Sequence, residues 1–78
     1  MLRGTPTKGS IIYYVVNDFD GCGIFQVRVL GLNYEGWIQA VGIESSLNGV
    51  SLLLDPIESN IFSTYGEAKR YLNAVRYY

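Results

Sequence analysis

Apolar residues recur along this chain with two different periods, and the change of period separates a β-rich part from a helical end. Segment 11–16 is β-branched or aromatic at all six positions, whereas segment 24–30 mostly alternates between apolar and polar residues. Alternation is the pattern of a strand with one buried face, formed here by Phe25, Val27 and Val29. The unbroken apolar run favours a strand that is covered on both faces.

Turn residues divide the rest of the β-rich part into further strands. We predict strands near 10–16, 24–31, 36–44 and 50–54, with a short fifth strand near 60–63. Gly42 interrupts the third of them, which suggests a bulge or a sharp bend in a strongly curled sheet. Asn48-Gly49 precedes the fourth and is a strong hairpin signal.

The last segment has helical periodicity. Thr64 and Glu67 fit a capping box, in which the threonine hydroxyl and the glutamate carboxylate cap the first turn of a helix. An apolar stripe follows at helical spacing, made of Ala68, Tyr71, Leu72 and Val75. We therefore predict a helix near 64–76 whose stripe packs on the sheet, against Phe25, Val27 or Val29. The fold class is α+β: a small, curled antiparallel sheet of four to five strands with one C-terminal helix.

Length and composition indicate one small domain. The chain has 78 residues, 49% of them hydrophobic, and a domain of this size has room for one core. Residues 1–9 are small and polar, with Gly and Pro, and are expected to form a flexible lead-in to a domain over 10–78. A single cysteine and no histidine leave little scope for stabilisation by disulfides or metal, so aromatic packing or burial against a partner must contribute.

Charge and hydropathy restrict the location and the partners. Six basic and seven acidic residues are spread along the chain without a run of either sign, so no basic surface for nucleic acid is visible. The N-terminal residues lack the apolar core of a signal peptide, and no apolar run approaches the ~20 residues that span a bilayer. One unpaired cysteine agrees with a reducing compartment. We expect a cytoplasmic protein.

Segment 17–23, NDFDGCG, concentrates the residues that could do chemistry. Aligned as a calcium loop, it offers Asp18 and Asp20 but has valines at the first and last ligand positions. Cys22 lacks a histidine to activate it, and acidic rather than basic residues lie next to it in the sequence. The favoured interpretation is a hairpin corner, because Asn, Asp and Gly suit turns.

The remaining catalytic patterns are missing. Triads that use histidine are impossible here, and no glycine pattern matches a phosphate loop. Paired carboxylates are available, for example Asp18 with Asp20, but these two lie in a predicted exposed turn where nothing separates their pKa values. We therefore expect no enzyme activity, no cofactor and no metal site.

The architecture resembles a class of very small bacterial and phage proteins. Lys8-Gly9 leads into an aromatic first strand, and the C-terminal helix opens with the motif Phe-x-Thr-x-x-Glu-Ala, as Phe62, Thr64, Glu67 and Ala68. In that class a Src-homology-3-like (SH3-like), KOW-type barrel precedes such a helix. The resemblance implies a partly open barrel. It also implies a role that many of these proteins share, the inhibition or modification of a host protein by a phage-encoded binder.

The leading functional hypothesis is a non-enzymatic protein-binding module. Its partner would be a host factor or a second copy of the chain. Aromatic residues at predicted turns and chain ends are its candidate contacts, because Trp and Tyr dominate binding hot spots. These residues are Phe19, Tyr34, Trp37, Tyr77 and Tyr78.

Two alternatives remain open. One is a module for single-stranded nucleic acid or the ribosome, since small barrels with surface aromatics can stack bases. It requires basic residues to gather beside Trp37 or Tyr34, and the candidates are Arg28, Lys69, Arg70 and Arg76. The other alternative is a structural subunit that completes its fold by pairing.

Deleting Tyr77 and Tyr78 tests whether the terminal aromatic rings contribute to association. We expect the shortened chain to keep its melting temperature and to lose self-association or partner binding, because strands with little internal charge are prone to pairing and the rings extend that surface. Sedimentation over a concentration series gives the measurement. Lost stability with unchanged mass in solution would instead show that the rings close the end of the sheet.

Overall fold

The fold is a five-stranded antiparallel sheet followed by one helix. The structure is a computed structural model and describes residues 2, 4–18, 21–44, 47–57 and 60–75. Its elements are β1 (Ile11–Asp18), β2 (Gly21–Leu32), β3 (Ile38–Gly42), β4 (Ser51–Leu54), β5 (Ile61–Phe62) and α1 (Tyr65–Val75). The strand order is β4-β3-β2-β1-β5, and every neighbouring pair is antiparallel. The predicted α+β class, the five strands and the C-terminal helix are confirmed.

The sheet is strongly curved but open. Strands β4 and β5 are its two edges, and no backbone ladder joins them in the part of the chain that the structure describes. In a flat sheet, four interstrand steps of about 4.8 Å would hold these edges about 19 Å apart. Leu54 from one edge and Ile61 from the other nevertheless line the same cavity and belong to the same buried cluster. The sheet therefore curls until its edges approach each other.

One face of the sheet forms the larger of two hydrophobic clusters, called here the core-face cluster. Ladder partners share a face of the sheet, and the cluster follows these pairs from strand to strand. Its buried members are Ile12, Val27, Val29, Ile38, Ala40, Leu54 and Ile61. Leu2 also packs against it. Because the helix lies on the other face, curvature of the sheet is what removes this cluster from water.

The opposite face carries the second cluster, called here the helix-face cluster. Ala68 and Leu72 of α1 are buried there, and Tyr71 and Val75 pack beside them, so the predicted stripe does face the sheet. On the sheet side the cluster contains Val15 and Phe62, with Tyr13 and Ile24 packed against it. The ring centroids of Phe62 and Tyr71 lie 5.2 Å apart.

The predicted partners of the helix were wrong. Val27 and Val29 belong to the core-face cluster, and Phe25 is the ladder partner of Tyr14, which packs against that same cluster. Successive side chains of a strand point to opposite faces, so Phe25, Val27 and Val29 share one side of β2. This side faces the inside of the curved sheet. The helix contacts the other side of β2 at Ile24.

Strand β1 contributes to both clusters, as its unbroken apolar sequence predicts. Ile12 lies in the core-face cluster and Val15 in the helix-face cluster, and both are 2% exposed. Tyr14 and Tyr13 pack against these two clusters respectively.

The hairpin corner at 17–23 is tighter than predicted. Asn17 pairs with Cys22 and Asp18 with Gly21, so most of this segment belongs to the β1–β2 ladder. The two residues between Asp18 and Gly21 lie outside the described residues. The turn-forming residue types predicted a longer corner. In the structure the ladder between β1 and β2 continues through most of them.

Gly42 is required for a close contact, and the predicted bulge lies elsewhere. The ladder between β2 and β3 shifts register between Val29 and Gly31, whereas Gly42 pairs regularly with Val27. A Cβ atom at Gly42 would overlap the carbonyl oxygen of Leu47 and lie 2.7 Å from its carbonyl carbon. The chain after β3 thus folds back onto Gly42, which leaves no room for a side chain.

The Asn48-Gly49 signal marks a real turn inside a longer connection. Val50 N donates to Leu47 O at 2.9 Å, and Gly49 has φ of +81°, which glycine adopts without strain. Residues 43–50 separate β3 from β4, so the predicted short hairpin is lengthened by the segment that covers Gly42.

The helix begins as its capping box predicts. Glu67 N donates to Thr64 Oγ1 at 3.3 Å, and the Thr64 hydroxyl donates to Glu67 Oε1 at 3.0 Å. The first residue of α1, Tyr65, follows directly. Among the described residues no helix has the length and apolarity needed to cross a membrane.

Replacing Leu72 by Ala should lower the free energy of unfolding by about 2–5 kcal/mol, because it leaves a cavity between α1 and the sheet. Leu72 is 5% exposed, whereas its neighbour Asn73 is exposed. Asn73→Ala is therefore the matched control and should change stability little. Urea denaturation of both variants measures the difference, and equal midpoints would show that the stripe does not hold the helix to the sheet.

Two Gly→Ala substitutions should change the free energy of unfolding in opposite directions. Gly42→Ala forces a methyl group against the Leu47 backbone and should destabilise by about 1–3 kcal/mol. Gly66→Ala, in the first turn of α1, meets no atom within 4 Å and should stabilise by about 0.5–1 kcal/mol. Thermal melts of the two variants provide the test. A Gly42→Ala variant as stable as the parent would contradict the close approach of Leu47 to Gly42.

Candidate binding cleft

The approaching edges of the sheet leave a cleft between them, called here the seam cleft. Its volume is about 170 Å³. The β4 side contributes Leu53, Leu54 and Asp55, the β5 side contributes Asn60 and Ile61, and the rings of Tyr14 and Trp37 complete the wall. Among the described residues, the lining of the cleft therefore combines two aromatic and three aliphatic residues with Asp55 and Asn60.

A closed turn between β2 and β3 positions Trp37. Asn33 Oδ1 accepts hydrogen bonds from the backbone N–H groups of Glu35 and Trp37, both at 2.9 Å. Asn33 N donates to Trp37 O at 2.9 Å, and Gly36 supplies the positive φ, +84°, that the reversal needs. These bonds hold the half-buried indole against the cleft, while Tyr34 at the tip of the same turn is 96% exposed.

Hydrogen bonds hold two polar residues, Asp55 and Asn60, beside the cleft. Asp55 Oδ1 accepts from Ile57 N at 3.0 Å, which holds the carboxylate at the end of β4. Asn60 is tied to β1, because its O accepts from Val15 N at 2.9 Å and its Nδ2 donates to Val15 O at 3.1 Å. Asn60 Oδ1 is buried and accepts no hydrogen bond from the described residues. Both side chains are therefore held in place by hydrogen bonds beside the cleft.

The described residues that line the cleft include no lysine or arginine. Asp55 is the acidic residue among them. Arg28 lies on β2 opposite Ile11 and Val41, away from the turn that carries Trp37. Lys69 and Arg70 are exposed on α1. Within the described residues, the basic cluster that a nucleic-acid site would need does not line the cleft, and Arg76 lies outside those residues.

A second, shallower depression adjoins the cleft and is called here the edge trough. Its volume is about 400 Å³, and it is lined by Leu30, Gln39, Ala40, Ser51, Leu52 and Leu53. Leu53 lines the seam cleft as well, so both depressions border β4. Leu30 is 46% exposed and Leu53 is 53% exposed, which leaves apolar surface beside an edge strand.

The predicted contact residues are only partly assembled here. Trp37 lines the seam cleft, and Tyr34 projects from the turn that positions it. Phe19, Tyr77 and Tyr78 lie outside the described residues. Sequence reasoning missed Tyr14, Leu53, Asp55 and Asn60. Strand alternation after Gly49 places Leu53 on the face opposite Leu52 and Leu54, which could have indicated that Leu53 is exposed. Only the curvature of the sheet brings Tyr14 and Asn60 to the same place.

The lone cysteine and the acidic residues are the other candidates for chemistry. Cys22 is exposed on a strand, opposite Asn17. No three His, Cys, Asp or Glu side chains come together as a possible metal site anywhere in the described ranges.

Comparison with known proteins gives no family. The chain matches no protein-family model, and no curated protein or solved structure is significantly similar to it.

Proposed function

We propose that this chain is a non-enzymatic, cytoplasmic protein-binding module whose sheet is a partly open SH3-like barrel and whose binding site is the seam cleft. The observation that carries the proposal is the cleft itself, an aromatic site held open between two edge strands and flanked by exposed apolar side chains. A host protein is the partner that the resemblance to small phage proteins implies.

The size of the cleft favours a side chain over a small molecule. Pockets for small-molecule ligands usually have volumes of about 300–1,000 Å³. The seam cleft, at about 170 Å³, has room for one or two side chains of a protein partner. The edge trough beside it is more open and borders the same strand, which suits a contact that continues along the surface of the protein.

The chemistry of the surface agrees with a protein partner. Trp37 and Tyr34 are of the residue types that contribute most to protein interfaces, and they lie on one hydrogen-bonded turn. A turn that is already ordered loses little conformational entropy on binding. The carboxylate of Asp55 at the cleft disfavours the phosphate groups of a nucleic acid.

Affinity capture with the whole chain as bait, followed by mass spectrometry, tests the proposal. We expect at least one saturable partner whose capture falls about tenfold or more on Trp37→Ala, the range of a moderate hot spot. Tyr65→Ala is the matched aromatic control, because Tyr65 is 52% exposed and lies on α1, outside the cleft. It should leave capture unchanged.

The tryptophan also gives a direct readout, since Trp37 is the only tryptophan in the chain. Addition of the captured partner should shift its emission to shorter wavelength and reduce its quenching by acrylamide. A partner that binds the Trp37→Ala variant with parent affinity, or no saturable partner in any lysate, would contradict the proposed function.

A further inference from the structure

We propose that the partner's contacting segment is an extended peptide that adds as an antiparallel strand to the free edge of β4, with an apolar side chain in the edge trough and a basic side chain in the seam cleft. This inference rests on the proposed function and deepens it, because it gives the chemistry of the occupant.

The backbone of β4 is available for pairing at defined residues. Gly42 N donates to Val50 O at 3.0 Å, and hydrogen-bonded pairs alternate along an antiparallel ladder. The bonded pairs further along are therefore Ala40 with Leu52 and Ile38 with Leu54. It follows that the N–H and C=O groups of Ser51 and Leu53 point to the outer edge, where no described strand lies.

The edge lacks the features that protect most edge strands. Natural edges carry charged side chains, prolines or bulges that prevent pairing with another chain. Strand β4 has the sequence Ser-Leu-Leu-Leu, pairs with β3 in regular register, and meets its first charge and its proline only at Asp55 and Pro56. A strand added to the sheet here would pair with a regular edge strand that carries no charged side chain.

The two depressions define the side chains of the added strand. On the outward face Leu30 and Leu53 are about half exposed, and an apolar side chain beside Leu53 would cover both. At the Asp55 end, the rings of Tyr14 and Trp37 and the carboxylate of Asp55 line one cleft. Aromatic faces together with a carboxylate attract a Lys or Arg side chain, and no cation of the described chain lines this wall.

A second copy of the chain fits the site less well. If β4 of a second copy paired antiparallel with β4, the residues before its strand, 47–50, would lie beside Asp55. None of these residues is basic. Pairing of two four-residue strands also buries far less than the approximately 1,200–2,000 Å² of a stable interface. A basic, apolar peptide from another protein therefore matches the site better.

The direction of the added strand sets the order of its residues. Asp55 follows the C-terminal end of β4, so the N-terminal end of an antiparallel peptide lies beside it. The probes are therefore acetylated and amidated hexapeptides of sequence Arg-Thr-X-Thr-X-Thr, in which X is Val, Leu or Phe. The first X lies opposite Leu53, and the second lies opposite Ser51.

Titration of the intact chain with these peptides, followed by Trp37 fluorescence, provides the test. We expect saturable binding that weakens about tenfold or more when the first residue is Glu or when the sequence is reversed. Methylation of the backbone N of the first X removes a bond to Leu53 and should also weaken binding about tenfold, whereas methylation of the next Thr, which faces away, should not.

Variants of the protein separate the two parts of the site. Asp55→Asn keeps the acceptor for Ile57 N and should abolish the preference for Arg over Glu, while Glu35→Gln, an exposed carboxylate on the neighbouring turn, should not. Leu53→Lys should abolish binding. Ile57→Lys is its control, because Ile57 is 77% exposed and lines neither depression.

Three outcomes would overturn the inference. They are the absence of saturable binding by any Arg-first peptide, equal binding of the two N-methylated peptides, and a dimer in sedimentation that Leu53→Lys dissociates. The first two leave the proposed function intact if capture still depends on Trp37. Loss of both peptide binding and Trp37-dependent capture would refute the proposed function as well.

Discussion

The fold depends on burial of both faces of β1. Six consecutive apolar residues in an extended strand put Ile12 and Tyr14 on one face and Tyr13 and Val15 on the other. Exposure of either face would forgo the favourable burial of several large side chains, each worth about 1.5–3 kcal/mol. One helix can cover only one face of so small a sheet. The other face must be covered by the sheet itself, and this requirement makes the sheet curl.

The seam cleft is a consequence of that curvature. Strands β4 and β5 approach each other at Leu54 and Ile61, and no ladder joins them among the described residues. Closed barrels avoid unpaired edges, whereas this open sheet leaves one beside an aromatic cleft. The proposed binding site is thus located where the small core cannot close the sheet. Trp37 is held at this place by the Asn33 turn and not by the core.

Several features could be read from local sequence because their causes are local. The capping box at Thr64 and Glu67 predicted the helix start, and the stripe containing Leu72 predicted which face of the helix is buried. The sequence missed the structural reason for Gly42, because a glycine in a strand has the same local signature for a bulge as for a close backbone contact. The contact is made by Leu47, which lies outside β3 and approaches Gly42 only in the folded chain.

The sequence by itself determined the class of fold, the order of its elements, both buried faces of β1 and the buried stripe of the helix. These follow from periodicity and capping, which act between residues close in the chain. The tertiary structure alone decided which side of β2 meets the helix and which residues form the cleft. Tyr14 is far from Asp55 and Asn60 in sequence, and none of the three has a local pattern that marks a binding site. They share one wall only because the register of five strands and the curl of the sheet bring the two edges together, and no local pattern encodes that distance.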